Sequence, residues 1–148
     1  MAPGQSFIIN LRREKFEDVK VRKALGLMFN FEWSNKTLFY DLYARINSFW
    51  ENSDMSATSF PSTEELNILK PLKNLLPEGV LSENVASAAV SSTKQLDRKN
   101  LRLASKLLDE AGWEVGDDGL RKNNKDETLD VVISVSYTHL TLPTIYSV

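Results

Sequence analysis

The sequence has no cysteine. Disulfides, thiolate metal sites and cysteine nucleophiles are therefore excluded, although this does not fix a compartment. There is a single histidine, His139, so any catalytic triad or histidine-held metal has to use it. Ser134, Ser136 and Asp130 lie near it along the chain. A triad needs its nucleophile, base and orienting group to converge in space, and no spacing here requires that. Excess basic charge is also missing: the net charge is −2 and the sequence pI about 5.5. The cluster Arg12, Arg13, Lys15, Lys20, Arg22 and Lys23 is interleaved with Glu14, Glu17 and Asp18, which largely cancels its field and argues against nucleic-acid binding. No apolar run approaches the ~18 residues of a membrane span. The first residues, MAPGQSFIIN, lack the basic start and apolar core of a signal peptide. The protein is thus expected either to be cytoplasmic or to be seen here without its true beginning. Glycine-rich phosphate loops, Walker-type motifs and paired-histidine metal motifs are absent. The acidic pairs Asp109-Glu110 and Asp117-Asp118 lack the alternating oxygen ligands of a calcium loop, and are read as solvated charges.

What is present is an ordinary soluble composition, 42% apolar and 26% charged over 148 residues, about the size of one domain. The chain is organised around Phe7 to Trp50, which holds every phenylalanine except Phe60, together with Trp33 and Trp50. Phe7, Ile8 and Ile9 read as a short buried strand over 6–10. Residues 12–15 read as a solvated turn. Asp18 is expected to cap a helix whose stripe is Val21, Ala24, Leu25, Met28 and Phe29, with Arg22 and Lys23 off it in water. Gly26 inside that helix suggests close approach of another element. Ser34 is expected to cap a second helix carrying Leu38, Phe39, Leu42 and Tyr43. Periodicity then fails over 45–54, where Phe49 and Trp50 sit among turn formers. Either these rings plug a gap between elements, or they line a cleft on a loop held by a rigid scaffold.

Further on, Ser62 and Glu65 fit a capping box opening a helix with Leu66, Leu69 and Leu72 or Leu75 on its apolar face. Residues 82–95 read as a long surface connection with a short helix at 83–89. Asp97 or Asn100 starts the cleanest helix, with Leu101, Ala104, Leu108 and Ala111 inward, Leu103 and Leu107 widening the stripe, and Gly112 as its stop. Residues 113–115 and 120–122 flank Gly116-Asp117-Asp118-Gly119, a hairpin signal. LDVVISV, 129–135, reads as a second buried strand.

Several motifs in order carry a resemblance. FIIN, a charged turn and FEDVKVRKALGLMF are followed by FEWSNKTLFY, NSFWENSDM, FPSTEELNILKPL and DRKNLRLASKLLDEAGWEV. Over residues 6–135 this pattern resembles the family 5 extracytoplasmic solute-binding proteins of ABC importers, in the oligopeptide branch that includes microcin C importers. The loop 83–94 departs from that branch in lacking proline and glycine. The segment VSYTHLTLPT resembles the translation of a transposon-end sequencing adapter, so residues 136–148 are expected to be a non-native tail, and 1–135 a partial lobe from the interior of a longer protein. A β-rich natural terminus is the alternative.

The resemblance implies an α/β fold, a helix-rich piece with a few short strands from the two-lobed type II periplasmic-binding-protein architecture. It further implies capture of an oligopeptide or peptide-like ligand for an ABC permease, outside the cytoplasm. No catalysis, cofactor, metal or nucleic-acid partner is expected, the membrane is reached only through the permease, and the full-length protein is expected to be a monomer. One wall of the ligand cleft is expected at Phe39, Tyr40, Ser48, Phe49 and Trp50. The competing expectation is a small helical protein–protein interaction domain with no cleft, its aromatics all in the core.

Overall fold

The computed structural model describes residues 6–134, except 49, 52, 58, 78 and 85–87. Two compact units divide the chain, one ending at Ala111 and the other beginning at Gly112.

The first unit is built on a pair of helices, α1 (Val19–Met28) and α4 (Arg98–Glu110), which pack against each other. Asp18 caps α1 as expected, accepting from the Lys20 amide. Val21 and Ala24 are completely buried at 0% exposure. Ala104 and Leu108 are their buried counterparts on α4, and Phe16, in a 3₁₀ turn at Glu14–Phe16, joins this core. Small Ala24 and Ala104 let the two helices approach closely, which raises the dispersion and burial gained per turn. The pair is antiparallel. Lys20 near the start of α1 pairs with Glu110 at the end of α4 at 3.1 Å. After the end of α1, Asn30 donates to the carbonyls of Lys94 and Gln95, just before α4. Arg22 is not simply solvated: its guanidinium donates to the carbonyls of Phe16 and Glu17 and pins the 3₁₀ turn onto α1.

Several expectations need correction. Among the described residues no neighbouring element explains Gly26, since none of them comes within 4 Å of where its Cβ would stand. The second helix, α2 (Phe31–Leu38), starts earlier than expected and is capped by Asn30, whose side chain accepts from the Trp33 amide. Ser34 instead donates back to the Asn30 carbonyl one turn earlier, the competing mid-helix use of a serine hydroxyl. The helix ends at Leu38, so Leu42 and Tyr43 lie beyond it. On α4 the inward row is Asn100, Ala104 and Leu108, while Leu101 and Leu103 are substantially exposed. Asp97, not Asn100, is its cap, accepting from the amides of Lys99 and Asn100.

The capping box of α3 (Thr63–Leu69) forms in full, the Ser62 hydroxyl accepting from the Glu65 amide and the Glu65 carboxylate from the Ser62 amide. Pro71 does not stop the chain from coiling, because the run continues as a 3₁₀ helix, Lys70–Leu75, with proline in its first turn. Of the expected apolar face, Leu66 and Leu69 are half-buried, whereas Leu72 and Leu75 are exposed. Among the described residues of 83–89 there is no helix, and the rest of that expectation lies outside them.

Residues 6–10 form no strand, and Ile8 is 93% exposed. A β-favouring run is a strand only where a neighbour pairs along it, and among the described residues none does so here. In the second unit Thr128 makes an isolated bridge to Lys122 and the Leu129 amide donates to the Arg121 carbonyl, but 129–134 form no strand, and Val132 is 80% exposed. Val135, His139 and the expected tail lie outside the described residues. The expected hairpin is present, with β1 (Glu114–Val115) antiparallel to β2 (Arg121–Lys122). Gly116 donates to the Leu120 carbonyl and Gly119, at φ +78°, donates to that of Gly116. The Asp118 carboxylate accepts from the Leu120 amide and pairs with Lys122, so this acid is a turn fastener. Gly112, at φ +81°, ends α4 as expected, in the left-handed position that glycine adopts without a Cβ clash. The described residues are thus helix-rich with two very short strands.

Candidate functional site

The aromatic segment after α2 is shaped by one asparagine. Asn35 is buried on α2, and its side chain meets the backbone of Tyr43 on both sides, accepting from the amide at 3.1 Å and donating to the carbonyl at 2.8 Å. Its own carbonyl takes the amides of Phe39 and Asp41. The chain is thereby bent through two consecutive left-handed residues, Tyr40 at φ +52° and Asp41 at φ +59°. Non-glycine residues pay about 1–2 kcal/mol each for that conformation, so the bend depends on these hydrogen bonds. Tyr40 stands at its crest, 81% exposed. Phe39 is not free: its ring packs edge-on against Tyr43 at 5.0 Å.

The loop that follows is closed by its own polar side chains. The Glu51 carboxylate accepts from the amides of Asn47 and Ser48. The Ser48 hydroxyl accepts from the Trp50 amide, and the Ser53 hydroxyl donates to the Trp50 carbonyl. Trp50 is about half exposed. Of the five residues expected to form a cleft wall, Ser48 and Trp50 are therefore joined directly, Phe39 and Tyr40 share the Asn35 bend, and Phe49 lies outside the described residues.

Sequence reasoning missed the groups that hold this region. Glu32, in the first turn of α2, receives Arg45 on both carboxylate oxygens at 3.2 Å and the Ser91 amide at 2.8 Å. Arg45 also lies over the Phe31 ring, 4.6 Å from its centroid, a cation–π arrangement. Partial burial raises the Glu32 pKa, but the hydrogen bonds from Arg45 and the Ser91 amide, with the Arg45 charge, outweigh it and hold the group below its ordinary value. Ser91 is itself buried, and its hydroxyl, with the Val90 carbonyl, accepts from Asn100 of α4. Asn35 gives a weak local signal, an asparagine inside a helix where it is a poor former. The Glu32–Arg45–Ser91 convergence gives none, because its members are far apart in sequence.

A small depression of about 40 Å³ is lined by Leu27, Met28, Asn30, Gln95, Leu96, Asp97 and Leu101. None of the expected site residues lines it, and it is below the roughly 300–1,000 Å³ of a ligand pocket. Among the described residues no three metal-binding side chains come together, and no helix is long and apolar enough to cross a membrane.

Residues 3–146 match the family described as bacterial extracellular solute-binding proteins, family 5, middle. The chain is 43% identical over 104 residues to the uncharacterized protein YejA of Escherichia coli strain K12, covering 70% of this chain and 17% of the relative. It is 41% identical over 111 residues to the probable peptide-binding protein YejA of Agrobacterium fabrum, covering 75% of this chain and 18% of that protein. With the uncharacterized protein y4wM of Sinorhizobium fredii it shares 33% identity over 142 residues, 94% of this chain and 21% of the relative. The chain thus spans about a fifth of the length of these relatives. The ordered motifs from FIIN to the α4 helix and this nearly end-to-end family match agree, and the chain belongs to family 5 of the bacterial extracellular solute-binding proteins.

Proposed function

We propose that this chain is part of an extracytoplasmic protein that captures oligopeptides or peptide-like compounds and hands them to an ABC permease, by binding and not by catalysis. Family membership carries this reading, and the probable peptide-binding function named for the Agrobacterium fabrum relative supports it. In the proposal the full-length protein is a monomer of two α/β lobes that close on the ligand. It needs no metal or cofactor, and meets the membrane only at the permease.

Phe39, Tyr40, Ser48, Phe49 and Trp50 form one wall of the cleft in this reading. The observation behind it is the exposure of Tyr40 and Trp50 on backbone fixed by Asn35, Ser48 and Glu51. Rings held on a rigid backbone stack on peptide side chains at little conformational cost. A small interaction domain with all aromatics in its core fits these exposed rings less well. The test is titration calorimetry on the full-length protein with pooled tripeptides to pentapeptides. Saturable binding that weakens about tenfold in Trp50→Ala, a loss of about 1.4 kcal/mol, is the expected result. A folded protein that binds no pool sinks the proposal.

A further inference from the structure

We infer that Glu32 and Arg45 form a clasp that positions the aromatic loop for ligand by tying it to α4 through Ser91. This rests on the proposed cleft wall and adds residues that would not themselves touch ligand.

The clasp follows from connectivity. The loop carrying Trp50 is fastened to itself by Glu51, Ser48 and Ser53, which sets its internal shape but not its place on the scaffold. Its placement comes from the stretch just before it. Asn35 holds the backbone at Tyr43 and Glu32 holds the side chain of Arg45, so two points a turn apart on α2 take successive points on the outgoing chain. The remaining face of the Glu32 carboxylate is occupied by the Ser91 amide, and Ser91 is bound by Asn100 from the core side of α4. A continuous path thus runs from α4 through Asn100, Ser91 and Glu32 to Arg45 and the loop.

The chemistry suits positioning. Arg45 meets the carboxylate with its Nε and one terminal nitrogen, and its guanidinium plane is backed by Phe31. A forked, stacked arginine fixes direction as well as distance, which lysine cannot reproduce. Both side chains are about one-fifth exposed, so water competes less with the pair than at an open surface ion pair.

The experiment compares Glu32→Gln, Arg45→Lys and Trp50→Ala in the full-length protein. It reads amide hydrogen exchange without ligand, and calorimetry with whichever tripeptide from the pool binds wild type best. The clasp predicts at least tenfold faster exchange in E32Q at the Ser91 amide, which donates to the Glu32 carboxylate, with the α1 and α4 amides unchanged. It further predicts roughly tenfold weaker binding in E32Q and an intermediate loss in R45K. Faster exchange throughout the segment would mean a general stability role and overturn the inference. So would exchange at the Ser91 amide that stays at the wild-type rate, or unchanged affinity in E32Q while W50A binds weakly. If W50A binds as wild type does, the cleft wall itself fails and the inference falls with it, whereas a failure confined to E32Q and R45K leaves the wall standing.

Discussion

The α1–α4 pair and the aromatic segment 39–55 belong to the same unit but are held by opposite means. The helix pair is held by burial: Val21, Ala24, Ala104 and Leu108 leave almost no surface to water, and its polar ties, such as Lys20–Glu110, lie at the margin. The aromatic segment holds its shape through side chains bonding to backbone, from Asn35, Glu51, Ser48 and Ser53, while Tyr40 and Trp50 remain exposed. Burial is non-directional and tolerates small shifts. Hydrogen bonds to backbone fix particular atoms at particular distances. In the proposed reading the first region is scaffold and the second is a wall of the ligand cleft.

The largest way to break the comparison is in the helix pair. Leu108→Ala opens a cavity opposite α1, and the expected loss is about 2–5 kcal/mol, the range for truncating a buried leucine. Urea unfolding of the full-length protein, followed by circular dichroism, measures it. If L108A costs less than 1 kcal/mol, α4 is not the central support described here.

A smaller and more local effect is expected from Asn35→Ala. It removes both bonds to Tyr43 and leaves the left-handed pair Tyr40-Asp41 without its main restraint. The expected cost is about 1–2 kcal/mol, with amide exchange rising at Tyr43 but not in α4. Equal acceleration in both places would erase the distinction between the two regions.

The helix pair was legible in the sequence because its determinants are local. Asp18, Ser62 and Asp97 are caps next to the helices they start, Gly112 ends one, and Gly116 to Gly119 make a turn from four adjacent residues. The two expected strands failed for the opposite reason: FIIN and LDVVISV have strand composition, but a strand is made by its neighbour, and among the described residues neither run is paired along its length. The aromatic segment was legible only as a loss of period. Its shape depends on Asn35 reaching Tyr43 and on Glu32 gathering Arg45 and Ser91, contacts between residues whose spacing follows no helix or strand repeat.

The smallest effect sharpens the comparison on its electrostatic side. Glu32 has its pKa lowered in the fold from an ordinary 4.5, since Arg45 and the Ser91 amide favour the carboxylate more than partial burial opposes it. A group depressed in this way contributes stability that is fully present above its unfolded pKa. That contribution is lost as pH falls through the lower, folded value. Between pH 7 and about 5 the gap between wild type and Glu32→Gln is therefore expected to stay constant, at about 1 kcal/mol or less for a partly exposed pair. Below about pH 4.5 the gap should narrow as the wild-type carboxylate takes up its proton and comes to resemble the amide. Other acids with lowered values, such as Asp97 and Asp118, titrate in both proteins and cancel in the difference. Chemical unfolding of both proteins across pH 3 to 7 measures the gap. A gap that widens toward low pH would mean the carboxylate is a burden in the fold, and that the segment is held by Asn35 and the Glu51 turn without help from charge.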